Sequence, residues 1–454
     1  MRHYPENNNV IQSYKVPYAC LIAPFKGDWI DAAKFYREWA VKQYWCSKGK
    51  LRERADFPET AEKKVLVITN ECGEFGSTSA VLSSLKDLKE FFKDSLWLVS
   101  HLRGWGKWLP YVEPHPGVKE LIDSLSELGI ATAPYSNTRL WDMTTPDDAE
   151  GTREKSMAKN INQKPYISVE YNSYIMDPWT EEWRNKYSYI VNEICESMGA
   201  TDIYVDNFPS FKLCYESKHC HPLGGGNYWI QGFRELAKKV REEQKALDTN
   251  FTMTQEDRVE LEIEFFDFLF TQYWENPPDT GTPGPPYTVS NGEPIPLFTA
   301  VYHDYVATIG DPNKPWEWYG KNHFAFANGY NFVNGNRFLF YDDKEYISEF
   351  SVEKLEDVKY LKELVFVSLS GKEYVLYGEW MRPPKVEAPV IPVEFYDKTR
   401  YFAAVLSGAF KTQDGKLGKD KLRFLLYAPS LLKSKKESGR YKEKNSIEKI
   451  ILLK

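Results

Sequence analysis

Residues 180–208, TEEWRNKYSYIVNEICESMGATDIYVDNF, hold the change of period that decides the fold. From Thr180 to Met198 the apolar residues recur at helical spacing, and the Thr-Glu-Glu opening resembles an N-cap followed by first-turn acids. Past Gly199 the chain becomes the apolar run of a strand, Asp202 to Phe208. The same alternation recurs on both sides. Upstream, a strand at Lys64–Asn70 precedes a helix over Ser79–Lys93. A second strand at Leu96–Leu102 precedes a helix over Val118–Leu128 that stops at Gly129, and a third follows at Ile130–Ser136. Downstream, a helix over Trp229–Lys245 leads to strands at Phe251–Gln255, Phe265–Tyr273 and Leu297–Tyr302, with an eighth expected in Gly329–Phe340. Strands joined through helices run parallel with right-handed crossovers, so the expected architecture is an α/β (β/α)8 TIM barrel over residues 61–350. A doubly wound open sheet is the rival, but no G-x-G-x-x-G follows the first strand.

Ahead of the barrel, residues 1–60 read as an N-terminal extension with an amphipathic helix over Asp28–Trp45, whose stripe is Trp29, Ala32, Phe35, Tyr36, Trp39 and Ala40. Behind it, after a helix near Val352–Leu364, residues 366–454 carry short apolar runs, a Pro-rich break and Lys-rich turns, the pattern of a small antiparallel β domain. The basic stretch Lys433–Lys444 reads as a solvated loop or hairpin tip. The 454 residues are 42 % hydrophobic and 27 % charged, a globular composition. Fifty-eight Lys+Arg against 65 Asp+Glu give a net charge of −7, which argues against a partner held by its phosphates, nucleic acid above all. Six scattered cysteines do not make a disulfide framework. No apolar run approaches the roughly 18–20 residues needed to span a bilayer, and the first ten residues lack a signal-peptide core. The expectation is a soluble, cytoplasmic chain without a membrane partner; the sequence leaves its oligomeric state open.

In a parallel barrel the reactive groups stand at the C-terminal strand ends. Two acids are placed there: Asp206 closes IYVD and Glu256 closes FTMTQE, one strand later. Carboxylates on adjacent strand ends come within about 5–10 Å, the range in which glycosidases set one group to attack carbon and the other to protonate the leaving oxygen. Aromatic residues interleave with polar ones in RGWGKW (103–108), NTRLW (137–141) and QYW (272–274), so Trp105 and Trp141 are candidates to stack on sugar rings. Candidates to hold hydroxyls are Asn137, Arg139, Asn207, His219, His221 and Tyr273, with Tyr302 at a further strand end.

Cys214, His219, Cys220 and His221 gather four possible metal ligands within eight positions. Their spacing matches no common zinc pattern, and adjacent residues in an extended loop do not readily converge. His219 and His221 therefore read first as substrate contacts, with no metal or cofactor expected. A metal-dependent hydrolase using Cys214, His219, His221 and Asp206 is the rival reading, and a non-catalytic carbohydrate-binding protein is another. Gly224–Gly226 suits a close approach of backbone, Asp177-Pro178 a turn and cap. Asp267 in FFDFL is either a buried hydrogen-bonded acid or one more site residue.

The chain also resembles an uncharacterised family, a domain-of-unknown-function group expected to be glycoside-hydrolase-like TIM barrels. The resemblance runs from HYPE (3–6) and GDWIDAAKFYREWA (27–40) through YSNTRLWD (135–142), MDPWTEEW (176–183) and IYVDNF (203–208). It continues through HCHPLGGGNYW (219–229), whose HxHPxGGG pattern is its most specific part, then TQEDRVE (254–260), FFDFLF (265–270) and IPLFTAVYHDY (295–305). That family is similar in turn to retaining glycosidases of the endo-α-N-acetylgalactosaminidase type. The resemblance implies an α-linked oligosaccharide or glycoconjugate substrate, with Asp206 as nucleophile and Glu256 as acid/base. Family members carry a β-sandwich ahead of the HYPE segment, so residues 1–60 can be read as its remnant.

Overall fold

The computed structural model describes residues 5–6, 15–16, 18–71, 78–92, 98–103, 110, 114–206, 212–256, 258–271, 296–310, 331–335, 362, 364–366, 368–369, 371–382, 409–411, 422–425 and 450–453. In chain order its principal elements are α1 (Trp29–Ala40), β1 (Leu66–Glu71), α2 (Thr78–Phe92), β2 (Leu98–Arg103), α3 (Val118–Glu127), β3 (Ala131–Asn137), β4 (Leu140–Asp142), α4 (Thr152–Ser156), β5 (Ile167–Ser168), β6 (Ser173–Ile175), α5 (Glu181–Met198), β7 (Asp202–Asp206), α6 (Tyr228–Leu247), β8 (Thr252–Gln255), β9 (Phe268–Thr271), α7 (Leu297–Tyr302), β10 (Ala307–Gly310) and β11 (Asn331–Gly335). The chain divides into two compact units, one of residues 1–25, 70–85 and 100–257, the other of 26–69, 86–99 and 258–454.

In the first unit β3 pairs in parallel with β7, and β7 with β8. All seven residues of β3 are buried, as a parallel strand covered on both faces requires. The helix α5 buries Trp183, Tyr187, Ile190, Val191, Ile194 and Met198, a stripe at helical spacing, and ends where Gly199 takes φ +74° and donates to Cys195 O at 3.0 Å. Thr180 occupies the N-cap position, yet its hydroxyl turns back to Asp177 O at 2.8 Å instead of capping the helix. A small antiparallel sheet, ordered β4-β6-β5, follows β3.

In the second unit β9, β10, β11 and β1 pair in that order, all parallel. The eighth strand therefore lies inside the expected window, as β11. Leu297–Tyr302 is not a strand: it forms α7, and the strand comes later, as β10. A six-residue apolar run suits a buried helix turn as well as a strand, and periodicity alone does not separate them. The helix α1 is capped by Asp28, whose Oδ1 accepts from Ile30 N at 2.8 Å, while Asp31 Oδ2 accepts from Asp28 N at 2.9 Å. It buries Ile30, Ala33 and Ala40, so Phe35, Tyr36 and Trp39 of the expected stripe stay exposed. The buried face meets α7, where Lys34 donates to Ala300 O at 3.2 Å and Arg37 pairs with Asp304 at 2.9 Å. Asp267 is a buried acid paired with Arg54 at 3.4 Å; Arg54 also donates to Phe266 O at 3.1 Å.

Of the C-terminal segment, Glu379–Met381 pairs antiparallel with Ala409–Lys411, and Leu422–Leu425 with Ile450–Leu453. The stretch Lys433–Lys444 and most of the expected helix near Val352–Leu364 lie outside the described residues. Among the described residues no helix is long and apolar enough to cross a membrane.

Candidate active site

The site is set by strand register. Tyr135 of β3 lies opposite Tyr204 of β7, which lies opposite Thr254 of β8; one step of two residues along each strand are Asn137, Asp206 and Glu256. Side chains alternate with a period of two, so these three share the face of the three before them. Contacts bear this out for Asp206: its Oδ2 accepts a short hydrogen bond from the Tyr135 hydroxyl and another from Asn137 Nδ2 at 3.3 Å. Glu256 is tied to β7 through its backbone, N donating to Val205 O at 3.0 Å, and its side chain is largely buried.

Burial, then the negative charge of Asp206 and their hydrogen bond, push the Tyr135 phenol pKa well up, with Glu256 adding to the shift. Tyr135 is thereby fixed as a donor. The same two carboxylates also raise Tyr171, after its burial and Glu170, so both acids act on common neighbours. Burial lowers the pKa of Arg139, opposed chiefly by the charge of Asp206. The loop past β3 is pinned as well: Arg139 N donates to Asn137 Oδ1 at 3.1 Å, and Thr138 donates to Asp206 O through N at 3.1 Å and through its hydroxyl at 3.0 Å.

Other expected contacts fall elsewhere. Trp141 is fully buried, its ring against Trp183 at 6.2 Å and its indole N–H on Thr145 O at 3.4 Å, so neither face is open to a sugar. Tyr302 sits on α7 in the other unit, its hydroxyl donating to Glu260 at 2.7 Å and accepting from Trp45 Nε1 at 3.2 Å. Trp105, Asn207 and Tyr273 lie outside the described residues.

His219 and His221 are buried and face each other and Asp177. His219 Nδ1 and His221 Nε2 both lie 2.9 Å from Asp177 Oδ2, and Cys214 Sγ lies 3.5 Å from His219 Nδ1. The four ligand atoms lie within 4.8 Å of one another. Convergence of two histidines around one residue is possible because Cys220 takes φ +57°, a left-handed turn uncommon outside glycine. Burial would raise the carboxyl of Asp177, but hydrogen bonds with His219 and His221 outweigh it and hold the pKa at about 2. Burial pushes the Cys214 thiol up to about 12. Asp177, read from sequence as a turn residue, does bind Trp179 N through Oδ1 at 3.0 Å, yet its second oxygen centres this cluster. Asp206 is not among the four ligands, unlike the set named in the rival metal-dependent reading.

These elements define an α/β chain with parallel sheets and two acids at neighbouring strand ends. Residues 14–313 match a domain of unknown function, DUF6259, and the chain belongs to that family. A Bacteroides thetaiotaomicron protein named "Putative glycoside hydrolase" is 23 % identical over 318 residues, 67 % of this chain and 44 % of its own length. "Putative glycoside hydrolase 22789" of Monosiga brevicollis is 21 % identical over 349 residues, 66 % of this chain and 28 % of its own. The chain thus spans less than half of either relative. Among solved structures, a quadruple mutant of the α-N-acetylgalactosaminidase NagBb from Bifidobacterium bifidum superposes with a TM-score of 0.57 at 15 % identity, covering 88 % of this chain and 62 % of that one. The α-galactosidase AgaB from Geobacillus stearothermophilus gives 0.50 at 11 %, covering 79 % and 47 %. At these identities the likeness is one of fold.

Proposed function

We propose that this chain is a glycoside hydrolase of (β/α)8 barrel fold that cleaves an α-linked sugar with net retention. The observation that carries the reading is the row Asn137, Asp206, Glu256 on one face of three consecutive parallel strands. Asp206, its carboxylate oriented by Tyr135 and Asn137, attacks the anomeric carbon. Glu256 gives its proton to the leaving oxygen, then takes one from the water that opens the glycosyl-enzyme ester. Arg139 holds a substrate hydroxyl beside them. The names of the two curated relatives and the fold shared with α-glycosidases support a carbohydrate substrate and the α anomer.

A panel of α- and β-linked aryl glycosides, α-galactosides and α-N-acetylgalactosaminides included, tests the reading. Only α-linked substrates should release phenol, and Asp206→Asn should lower kcat/KM by at least about 10³-fold, roughly 4 kcal/mol of barrier. Proton NMR of the first-formed sugar should show the substrate's own anomer. Inversion of configuration, or an Asp206→Asn enzyme of undiminished activity, overturns the mechanism. Saturable oligosaccharide binding without turnover by the wild type favours a binding protein.

A further inference from the structure

We propose that Asp177, Cys214, His219 and His221 hold one structural zinc ion. The inference rests on no part of the glycosidase reading.

The argument begins with a proton. His221 Nδ1 lies 2.8 Å from Pro222 O, and a carbonyl can only accept, so Nδ1 carries the hydrogen. In a neutral ring Nε2 then carries a lone pair, aimed at a carboxylate oxygen 2.9 Å away. That contact takes either a second proton on the ring, which then donates to Asp177, or a metal ion between the two atoms. The same oxygen is 2.9 Å from His219 Nδ1, which is 3.5 Å from the Cys214 sulfur. A proton can serve one such contact at a time; a metal ion serves four. A divalent ion with one thiolate, one carboxylate and two neutral imidazoles is neutral as a set and engages all four ligand atoms at once.

The geometry suits zinc. With Zn–N of about 2.0–2.1 Å and Zn–S of about 2.3 Å, a tetrahedron separates its ligand atoms by about 3.3–3.6 Å. Here the sulfur–nitrogen pair at 3.5 Å lies in that range, the two oxygen–nitrogen pairs at 2.9 Å lie below it, and no pair exceeds 4.8 Å. One sulfur, two imidazole nitrogens and one carboxylate oxygen is a donor set that favours zinc over the hard cations. The outer partners are also in place. Pro222 O fixes the tautomer of His221, Trp179 N holds the far oxygen of Asp177, and the Tyr228 ring stacks on His221 at 3.7 Å between centroids and 4° between planes. The Tyr228 hydroxyl accepts from Cys214 N at 2.7 Å and donates to Gly224 O at 3.0 Å, closing the loop around the sulfur.

With four protein ligands the ion keeps no open position for water, so its role is to tie the turn before α5 to the loop before α6. On binding, the Cys214 S–H bond breaks, a Zn–S bond forms and the proton leaves to solvent.

The test uses the full chain, purified from zinc-supplemented culture and desalted. Elemental analysis should give one zinc per chain, and Cys214→Ser and His221→Ala should each fall to background. Because either variant can fail to fold, the wild type is also stripped with a chelator and titrated with cobalt(II). A thiolate-to-cobalt charge-transfer absorption should appear. Folded wild type that carries no zinc and shows no cobalt band on titration overturns the proposal.

Discussion

Replacing Glu256 by Gln separates proton donation from every other role of that position. The side chain keeps its length and volume, and the backbone bond from residue 256 N to Val205 O is untouched, so the β7–β8 pairing stays as it is. What is lost is the proton. Positioned general acids contribute about 10²–10⁴-fold, equivalent to about 2.7–5.4 kcal/mol of barrier. That loss should fall where the leaving oxygen needs the proton. For an alkyl glycoside or a sugar-sugar bond the full factor is expected. For a nitrophenyl glycoside, whose phenolate leaves unaided, glycosylation should be nearly unaffected and the loss should appear in deglycosylation, as a burst of phenol followed by a slow steady state. Added azide, which needs no base to attack the glycosyl-enzyme, should restore that slow step. The assay is therefore kcat and pre-steady-state phenol release on both substrate types, with and without azide. An equal loss on activated and unactivated substrates, with no burst and no rescue, would refute the assignment and leave Glu256 a structural acid.

Two further outcomes follow from packing and burial. A Cβ at Gly232 of α6 would lie 2.5 Å from the backbone of Pro178 and Trp179, which cannot swing aside as a side chain can. Gly232→Ala should therefore lower the thermal midpoint despite the better helix propensity of alanine, the overpacking cost of about 1–3 kcal/mol exceeding a propensity gain of up to about 1 kcal/mol; an unchanged or higher midpoint would show that this contact relaxes. Burial, moderated by Arg37, pushes the Cys46 thiol up to about 12. At about pH 8 that thiol is protonated, so in native protein Cys46 should stay unalkylated by iodoacetamide while exposed Cys20 reacts, a contrast read by peptide mass mapping that should vanish in denaturant.

The strands around the acids were legible because their signals are local: IYVD and FTMTQE are short apolar runs ending in a carboxylate, and β7 and β8 form where those runs lie. Strand order then put Asp206 and Glu256 side by side. The misplaced strand at Leu297–Tyr302 marks the limit of that reasoning, since length and hydrophobicity are the same for a buried helical turn and only the neighbours decide. The α1 stripe fails for a related reason. Phe35, Tyr36 and Trp39 are the bulkier residues, but the close approach to α7 needs the small side chain of Ala33 and the reach of Lys34 and Arg37. Trp141 looked like a loop aromatic because β4 is only three residues long, too short to register as a strand. The signal for Tyr135 was available: it stands two residues before Asn137 and therefore on the same face. No local signal marks Asp177, which meets His219 and His221 through a fold-level return of the chain, nor the left-handed turn at Cys220 that lets the two rings converge.

The register also bears on stereochemistry without any appeal to relatives. Neighbouring strands lie about 4.8 Å apart, and residues one step past a paired position leave the sheet on the same face in nearly parallel directions. Asp206 and Glu256 occupy such positions beyond Val205 and Gln255, and the bond from Glu256 N to Val205 O extends the pairing to the site itself. Their backbones are thus anchored at about the strand spacing, and the proposed retaining mechanism requires that the two carboxyl groups lie about 5–5.5 Å apart rather than the roughly 6.5–9.5 Å that leaves room for an inverting water. The bonds that Asp206 accepts act in the same sense. Tyr135, held as a neutral phenol, and Asn137 both approach Oδ2 from β3, on the side away from β8. They orient the Asp206 carboxylate through that oxygen. Glu256 is the more buried of the two. On the proposed mechanism, the nucleophile is thus the carboxylate that Tyr135 and Asn137 hold from β3, and the acid/base the one carried on β8.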